Sequence, residues 1–373
     1  MAADRAIVIA GGGTGGHVFP GLAVADELRR RHPHWPLLWI GASGGVEERL
    51  VPRAQIALSV LPMAGLAGQG LARGLRASWL AASATVRLLL RFIRRRPLVL
   101  VGVGGFASGP AVLAALLLGV PTLLLEQNAI PGRTTRALAR FASAVAVSFP
   151  ASGDLLRGRT VLTGNPVRTE IASVPERGDR PVRRVLSFGG SRGAQALNEA
   201  WIAALGALAR LPLVFTLQTG EEDLARVREA ARAAREAGPA VSEKARATAH
   251  VEVLAFLDDM PRRLAEADVV VARAGATTVA ELTAAGRASI LVPYPFAADD
   301  HQRANARALA DGGAAVVIDP DELSGERLRE EIERLAHDPK RVSAIGTAAR
   351  RLGRPDAARR VADLIVKLAG GAA

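Results

Sequence analysis

The residues best suited to chemistry start near the N-terminus. "IVIAGGGTGGHVFPG", Ile7 to Gly21, runs from a β-branched strand signal into glycines and then His17. Gly11, Gly13 and Gly16 satisfy G-x-G-x-x-G at a strand-to-helix turn, the pattern that brings backbone amides against a pyrophosphate. A dinucleotide also needs an acidic residue closing the second strand. Here "PLLWIGASGG" ends in Ile40 and Gly41, and Glu47 and Glu48 come later. No G-K-[ST] follows the glycines, so a triphosphate P-loop is excluded as well. What remains is an anion held by amides at a helix start, a phosphate or diphosphate rather than a nicotinamide cofactor. His17 follows that loop directly and is a candidate proton acceptor, since an imidazole titrates in the working range. A helix-capping or packing role is its alternative.

Three further stretches carry polar groups where a parallel sheet would present them. "LLLEQNAIPGR" places Glu126, Gln127 and Asn128 at the carboxyl end of an apolar run, the end at which open sheets bind ligands. "VVVARAGATTVAEL" passes from strand to helix at Gly275, so the amides of Ala276, Thr277 and Thr278 can hold a phosphate. Glu281 lies about one turn further on, able to take a ribose hydroxyl pair or to serve only the helix dipole. "PYPFAADDHQRANA" offers Asp299, Asp300, His301 and Gln302. No other histidine or carboxylate is spaced to complete a metal site there, so hydrogen bonding to a polyhydroxyl ligand fits better, and neither metal nor cofactor is expected.

These groups need a scaffold, and the apolar runs supply it. In the first half "RAIVIA", "PLLWIG", "LVLVGV", "TLLLEQ" and "AVAVSF" read as strands. In the second, "RRVLSFGG", "LVFTLQTG", "HVEVLAF", "DVVVAR", "SILVPYP" and "AAVVIDP" do the same. Continuous Val/Ile/Leu runs separated by helices indicate parallel sheets covered on both faces. At 373 residues the chain exceeds one compact core. "RAIVIAGGGTGGH" and "RRVLSFGGSRGA" each open a half with strand, glycine loop and helix. The expectation is an α/β protein of two doubly wound, Rossmann-like domains facing each other across a cleft. Its parts are residues 1–165, a polar linker over 166–183, a second domain over 184–355, and a C-terminal helix over 356–373 packing back toward the first domain.

The charge is uneven. The net charge is +12, yet the first 165 residues hold 18 arginines against seven carboxylates, while the remainder holds 30 basic against 29 acidic groups. Seven arginines fall in "RGLRASWLAASATVRLLLRFIRRR", Arg73 to Arg96, interleaved with Leu75, Trp79, Leu80, Leu90 and Ile93. Arginine beside large apolar groups suits an anionic membrane surface. An ordinary domain helix with a solvated basic face is the alternative. A nucleic-acid partner is not expected, because stacking aromatics and a binding motif are both missing. Pro97 to Leu125 is uncharged, but glycines and prolines break it into strand, turn, short helix and strand rather than a membrane span. With no cysteine and no secretory signal, a cytoplasmic protein is the expectation.

"GGTGGHVFPGLAVADEL", "GVGGFASGP", "EQNAIPGRTT", "GNPVR", "GGSRGA", "GATTVAEL" and "DDHQRANA", in this order, resemble the MurG family of bacterial peptidoglycan enzymes. The resemblance implies the GT-B glycosyltransferase fold and transfer of N-acetylglucosamine from UDP-N-acetylglucosamine to lipid I, an undecaprenyl diphosphate glycolipid, giving lipid II. It also implies inversion at the anomeric carbon and peripheral attachment to the cytoplasmic face of the plasma membrane. A different glycolipid synthase or a nucleotide-sugar epimerase of the same fold are the alternatives. By resemblance, Ser191 and the amides of Ala276, Thr277 and Thr278 approach the donor diphosphate, with Arg168 near its charge. Glu281 takes the ribose, backbone near Leu257 reads the uracil, and Gln302 with His301 holds the sugar. Thr14, Gly15, Gly16 and Asn128 serve from the first domain, with His17 as base and Glu126 in reserve. The family often has His at Leu125 and Ser at Ala274, so no role resting on those side chains carries over.

Overall fold

The computed structural model describes residues 5–62, 71–190, 193–236 and 250–370. Its internal contacts divide the chain into two units, Met1–Thr169 with Arg354–Ala373, and Glu170–Gly353.

The first unit is built on β1 (Ile7–Gly11), β2 (Leu37–Ala42), β3 (Ala57–Leu61), β4 (Val99–Gly104), β5 (Thr122–Glu126), β6 (Ala144–Val147) and β7 (Thr160–Leu162). They pair in parallel in the order β3-β2-β1-β4-β5-β6-β7. Strand order therefore reverses between β1 and β4, and a doubly wound sheet opens its ligand crevice at that point. The inner strands β1, β2, β4 and β6 carry no charged or hydroxyl side chain because successive side chains enter different cores. Ile7 and Ile9 meet Val18, Val24 and Leu28 of the helix Gly15–Arg31, together with Val361 and Ile365 of the final helix Ala357–Gly370. Val8 and Ala10 face the other way, onto Leu88, Phe92 and Val112. The final helix is also pinned by Arg31 to Asp363 at 2.8 Å.

The second unit repeats the plan with β8 (Arg184–Phe188), β9 (Val214–Gln218), β10 (His250–Leu254), β11 (Val269–Ala272), β12 (Ala288–Leu291) and β13 (Val316–Val317). The order is β10-β9-β8-β11-β12-β13, again all parallel, with its reversal between β8 and β11. Trp201 and Phe215 meet edge to face in its core, and the Trp201 indole donates to Ser187 Oγ at 2.8 Å.

Residues leading into this sheet are held by one buried carboxylate. Asp268 accepts from the Arg177 guanidinium (2.8 Å) and from the amides of Arg183 (2.7 Å) and Arg184 (2.9 Å). Burial opposes its charge, but those donors hold the carboxyl below the usual aspartate range. Arg287, fully buried, donates to the carbonyls of Leu264, Ala285 and Pro175. Its burial lowers the guanidinium pKa to about 10.

Each of the eleven apolar runs named above contains a strand. Among the described residues two strands escaped, β3 and β7, and both are sheet edges. β3 is mostly half-buried or exposed and β7 is three residues long, so neither carries a continuous apolar run. The uncharged stretch after Pro97 folds as β4, the helix Ser108–Leu117 and β5. Among the described residues no helix is long and apolar enough to cross a membrane.

Candidate functional site

In the first unit two glycine turns meet at the switch point. Gly12 N–H donates to the carbonyl of Gly104 (3.2 Å), so the loop after β1 lies backbone to backbone against the loop after β4. Gly105 has φ +80°, and a Cβ there would run into the Gly12 carbonyl. The helix Gly15–Arg31 starts directly beyond, with Thr14 as its extended N-cap and no side-chain cap. Thr14 and Gly16 are exposed, Gly15 half-buried. His17 is half-buried over Gly104: a Cβ built on that glycine would stand 2.6 Å from His17 Nδ1. The imidazole's Nδ1 edge thus faces backbone.

Glu126 ends β5 and is buried. Its oxygens accept from the amides of Asn128 (3.1 Å) and Gly132 (3.0 Å), which fastens the Asn128–Gly132 loop. Burial pushes its carboxyl above the usual glutamate range, against the pull of those hydrogen bonds and of the Thr135 and Asn128 side chains. The neighbouring Gln127 donates to the Val103 carbonyl at 2.9 Å and so ties this loop to the end of β4. Arg168 reaches the same region: its guanidinium lies 4.9 Å from the centre of the Phe19 ring, on the first turns of the His17 helix.

The second unit gathers its own set. Ser191 lies outside the described residues; Gly189, just before it, is held by Gln218. Gly189 N–H donates to Gln218 Oε1 (3.3 Å), and Gln218 Nε2 donates to the Ala255 carbonyl (2.9 Å). Gln218 therefore links the glycine loop to the segment holding Leu257, which is itself buried. Across the switch point, β11 leads through Gly275 into the helix Ala276–Ala285, capped without any side chain. Ala276 and Glu281 are buried, Thr277 and Thr278 half-buried.

The loop after β12 closes against this helix start. Asn305, fully buried, donates to the Ala274 carbonyl (3.1 Å). Arg273 donates to the Pro293 carbonyl (2.9 Å) and lies over the Tyr294 ring. Asp299 and Asp300 both take φ +52°, a conformation that costs a non-glycine residue roughly 1 kcal/mol or more. They turn the chain so that His301 and Gln302 open the next helix. His301 Nδ1 lies 2.6 Å from the Ala298 carbonyl, and Gln302 Oε1 accepts from Tyr294 N–H (3.0 Å). Asp300 is paired with Arg303 at 3.2 Å.

The arginine-rich segment forms the helix Leu71–Arg94. Ala84, Leu88 and Phe92 are buried in the core, whereas Trp79 (65% exposed), Val86, Leu90 and Ile93 (61%) project outward. Arg76, Arg87, Arg91 and Arg94 are exposed beside them. Helical spacing sets the outward apolar residues on one stripe, flanked by the arginines. The side chains of Arg73 and Leu75 lie outside the described residues.

Several working residues are not obvious from sequence. Gln218, Asn305 and Arg273 act through backbone carbonyls, which no spacing rule marks. Glu47 carried a signal, the glycines at 41, 44 and 45 just ahead of it, and it turns inward under the first loop.

Residues 7–147 match the glycosyltransferase family 28 N-terminal domain, and residues 184–361 match the glycosyltransferase family 28 C-terminal domain. The chain is 41% identical to the UDP-N-acetylglucosamine–N-acetylmuramyl-(pentapeptide) pyrophosphoryl-undecaprenol N-acetylglucosamine transferase of Myxococcus xanthus, over 97% of this chain and 92% of that one. The protein of the same name from Desulforudis audaxviator is 43% identical over 98% of each chain. The crystal structure of Acinetobacter baumannii MurG superposes with a TM-score of 0.77 at 34% identity, covering 97% of this chain and 99% of that one.

Proposed function

The chain belongs to glycosyltransferase family 28, and we propose that it moves N-acetylglucosamine from UDP-N-acetylglucosamine to the N-acetylmuramyl-pentapeptide of lipid I, giving lipid II. Its two doubly wound units make it a GT-B protein. The observation that carries the reading is identity above 40% over nearly the full length of the chain.

Our assignment divides the work between the units. The second binds the donor: the amides at Ala276, Thr277 and Thr278, with the loop of Ser191, take the diphosphate. Glu281 takes the ribose, backbone at Leu257 the uracil, and Gln302 with His301 the sugar. Arg168 adds positive charge for the departing UDP. The first unit takes the acceptor diphosphate on Thr14, Gly15 and Gly16, with Asn128 beside it. In a single inverting displacement the acceptor 4-oxygen bonds to the anomeric carbon as the bond to UDP breaks, and His17 accepts the hydroxyl proton. Nδ1 is turned to Gly104, and we assign the proton to Nε2, on the opposite edge of the ring. Glu126 suits this role less well, because both its oxygens hold the Asn128–Gly132 loop.

Lipid I requires a protein at the bilayer surface. The exposed Trp79, Val86, Leu90 and Ile93, with Arg76, Arg87, Arg91 and Arg94 at their side, support peripheral attachment to an anionic leaflet on the cytoplasmic side. The assay that tests the function is incubation with radiolabelled UDP-N-acetylglucosamine and a short-chain lipid I analogue. Label should appear in a lipid-linked disaccharide. Free labelled sugar with no disaccharide would overturn the reading and point to an epimerase.

A further inference from the structure

Glu47 is completely buried, yet it belongs to none of the groups assigned above. It follows β2, and its carboxylate lies under the loop that follows β1. Gly13 N–H donates to Oε2 (2.8 Å) and Ala42 N–H donates to Oε1 (2.9 Å), so each oxygen holds one backbone amide from a different strand end. The space around the carboxylate is made of missing side chains. For a Cβ built on Gly12, Gly41 or Gly45, the three nearest atoms all belong to Glu47, and none of these glycines needs a positive φ. Their lack of a side chain is explained by the carboxylate and not by backbone conformation.

We propose that Glu47 is the positioning residue of the acceptor loop. By taking the Gly13 amide inward, it fixes the turn at Gly13, where φ is +90°, and so sets the direction in which Thr14, Gly15 and Gly16 enter the helix that carries His17. The root of the loop is fixed independently by the Trp39 indole, which donates to the Gly11 carbonyl at 2.8 Å. Loop pose therefore depends on two side chains from the second strand and its exit, one neutral and one charged. Related dinucleotide folds place an acid at the end of the second strand to face a ribose. Here the acid is displaced past the glycines and holds the protein's own loop through the Gly13 and Ala42 amides.

The inference rests on the assignment of this loop to the acceptor, and the sign of one effect separates the two. If Glu47 acted only as a negative charge beneath an anion site, Glu47→Gln would lower KM for the acceptor. If it positions the loop, Glu47→Gln puts an amide N–H where an acceptor oxygen is needed, and acceptor kcat/KM should fall about tenfold or more.

The experiment is steady-state transfer by the full chain with UDP-N-acetylglucosamine and the lipid I analogue, for Glu47→Gln, Glu47→Ala, Gly12→Ala and the pair Glu47→Ala with Gly12→Ala. The expected result is a fall in acceptor kcat/KM with KM for the donor within twofold of the parent. The added methyl of Gly12→Ala should be harmful alone and nearly silent once the carboxylate is gone. That coupling is a readout which general destabilisation would not produce. It also keeps the test decisive if Glu47→Gln folds poorly. Parent-like acceptor kinetics in Glu47→Gln, or simple additivity in the double-mutant cycle, would overturn the positioning role. A rise in donor KM with acceptor kinetics unchanged would instead sink the assignment of the loop to the acceptor.

Discussion

The loops after β1 and β8 occupy equivalent places in two sheets of the same topology, and they are held by different chemistry. Under the first lies a buried carboxylate, Glu47, gripping Gly13 and Ala42. Beside the second lies a neutral amide, Gln218, gripping Gly189 and the Ala255 carbonyl. The helix after the first loop carries His17, and its unit holds most of the excess arginine. The second unit's helix start at Ala276 lies beside a polar loop ending in His301 and Gln302, within a nearly neutral half of the chain. The doubly wound fold gives each unit a crevice at its switch point, and the two crevices differ in the residues that brace their loops. The separate tasks proposed for the two units can be tested with variants in matched pairs.

The largest contrast is expected at the membrane. Replacing Arg91, Arg94 and Arg95 by Glu changes two charge units at each position, and each unit is worth about 1 kcal/mol near an anionic surface. Sedimentation with anionic vesicles should fall by roughly 10³-fold or more, with donor binding unchanged. Arg232→Glu with Arg235→Glu in the second unit should leave sedimentation as it was. Equal loss of vesicle and donor binding in the first variant would mean that it had only misfolded.

Next come the two histidines. His17→Ala should lower kcat by about 10²–10⁴, the usual contribution of a general base, and the alkaline plateau of the pH profile should go with it. His301→Ala should act mainly on KM for UDP-N-acetylglucosamine. A His17→Ala enzyme turning over at the parent rate would remove it as the base.

A third pair tests the backbone. Gly105 (φ +80°), after β4, and Gly193 (φ +78°), after β8, both lie in close backbone approaches, where a Cβ would meet the carbonyls of Gly12 and Thr219. Alanine at either position should cost on the order of 3 kcal/mol through strain and overpacking, measured by urea unfolding. The kinetic losses should separate, Gly105→Ala on the acceptor side and Gly193→Ala on the donor side. If both raise the same KM, the division of labour between the loops is wrong.

Much of this was legible in the sequence, for a physical reason. Strands buried on both faces must be apolar at every position, so "IVIAG" and "VVVA" declare themselves, and the glycine turns that follow mark strand ends. The edge strands β3 and β7 have no such constraint and left no run to read. The site divides along the same line. His17 after a glycine loop, Glu126 at a strand end and Gln302 in a polar run could be singled out. Gln218 and Asn305 act on backbone carbonyls far along the chain, and that pairing exists only after folding. Glu47 is the instructive case: its distance past the second strand excluded a ribose role, and the same displacement let it fold back beneath Gly12 and Gly13.

The smallest predicted effect concerns how each unit holds the chain segment that joins it from outside its sheet. The first unit keeps the helix Ala357–Gly370 chiefly by burying Val361 and Ile365, an apolar attachment with little dependence on pH. The second holds residues 177–184 on the charge of Asp268. Because the folded pKa of Asp268 is lowered, its contribution is fully present above the unfolded value near 4 and is lost as pH falls through the folded one. Asp268→Asn weakens several hydrogen bonds to a charged group and should cost roughly 2 kcal/mol at pH 7, with the gap to the parent narrowing as pH falls below about 4. Val361→Ala should cost a similar amount at both pH values, since its loss is one of packing. Urea titrations of the two variants at pH 7 and pH 3.5 decide the matter. An Asp268→Asn deficit that persists undiminished at pH 3.5 would show that the geometry of the Arg177, Arg183 and Arg184 contacts, rather than the carboxylate charge, holds this segment to the second unit.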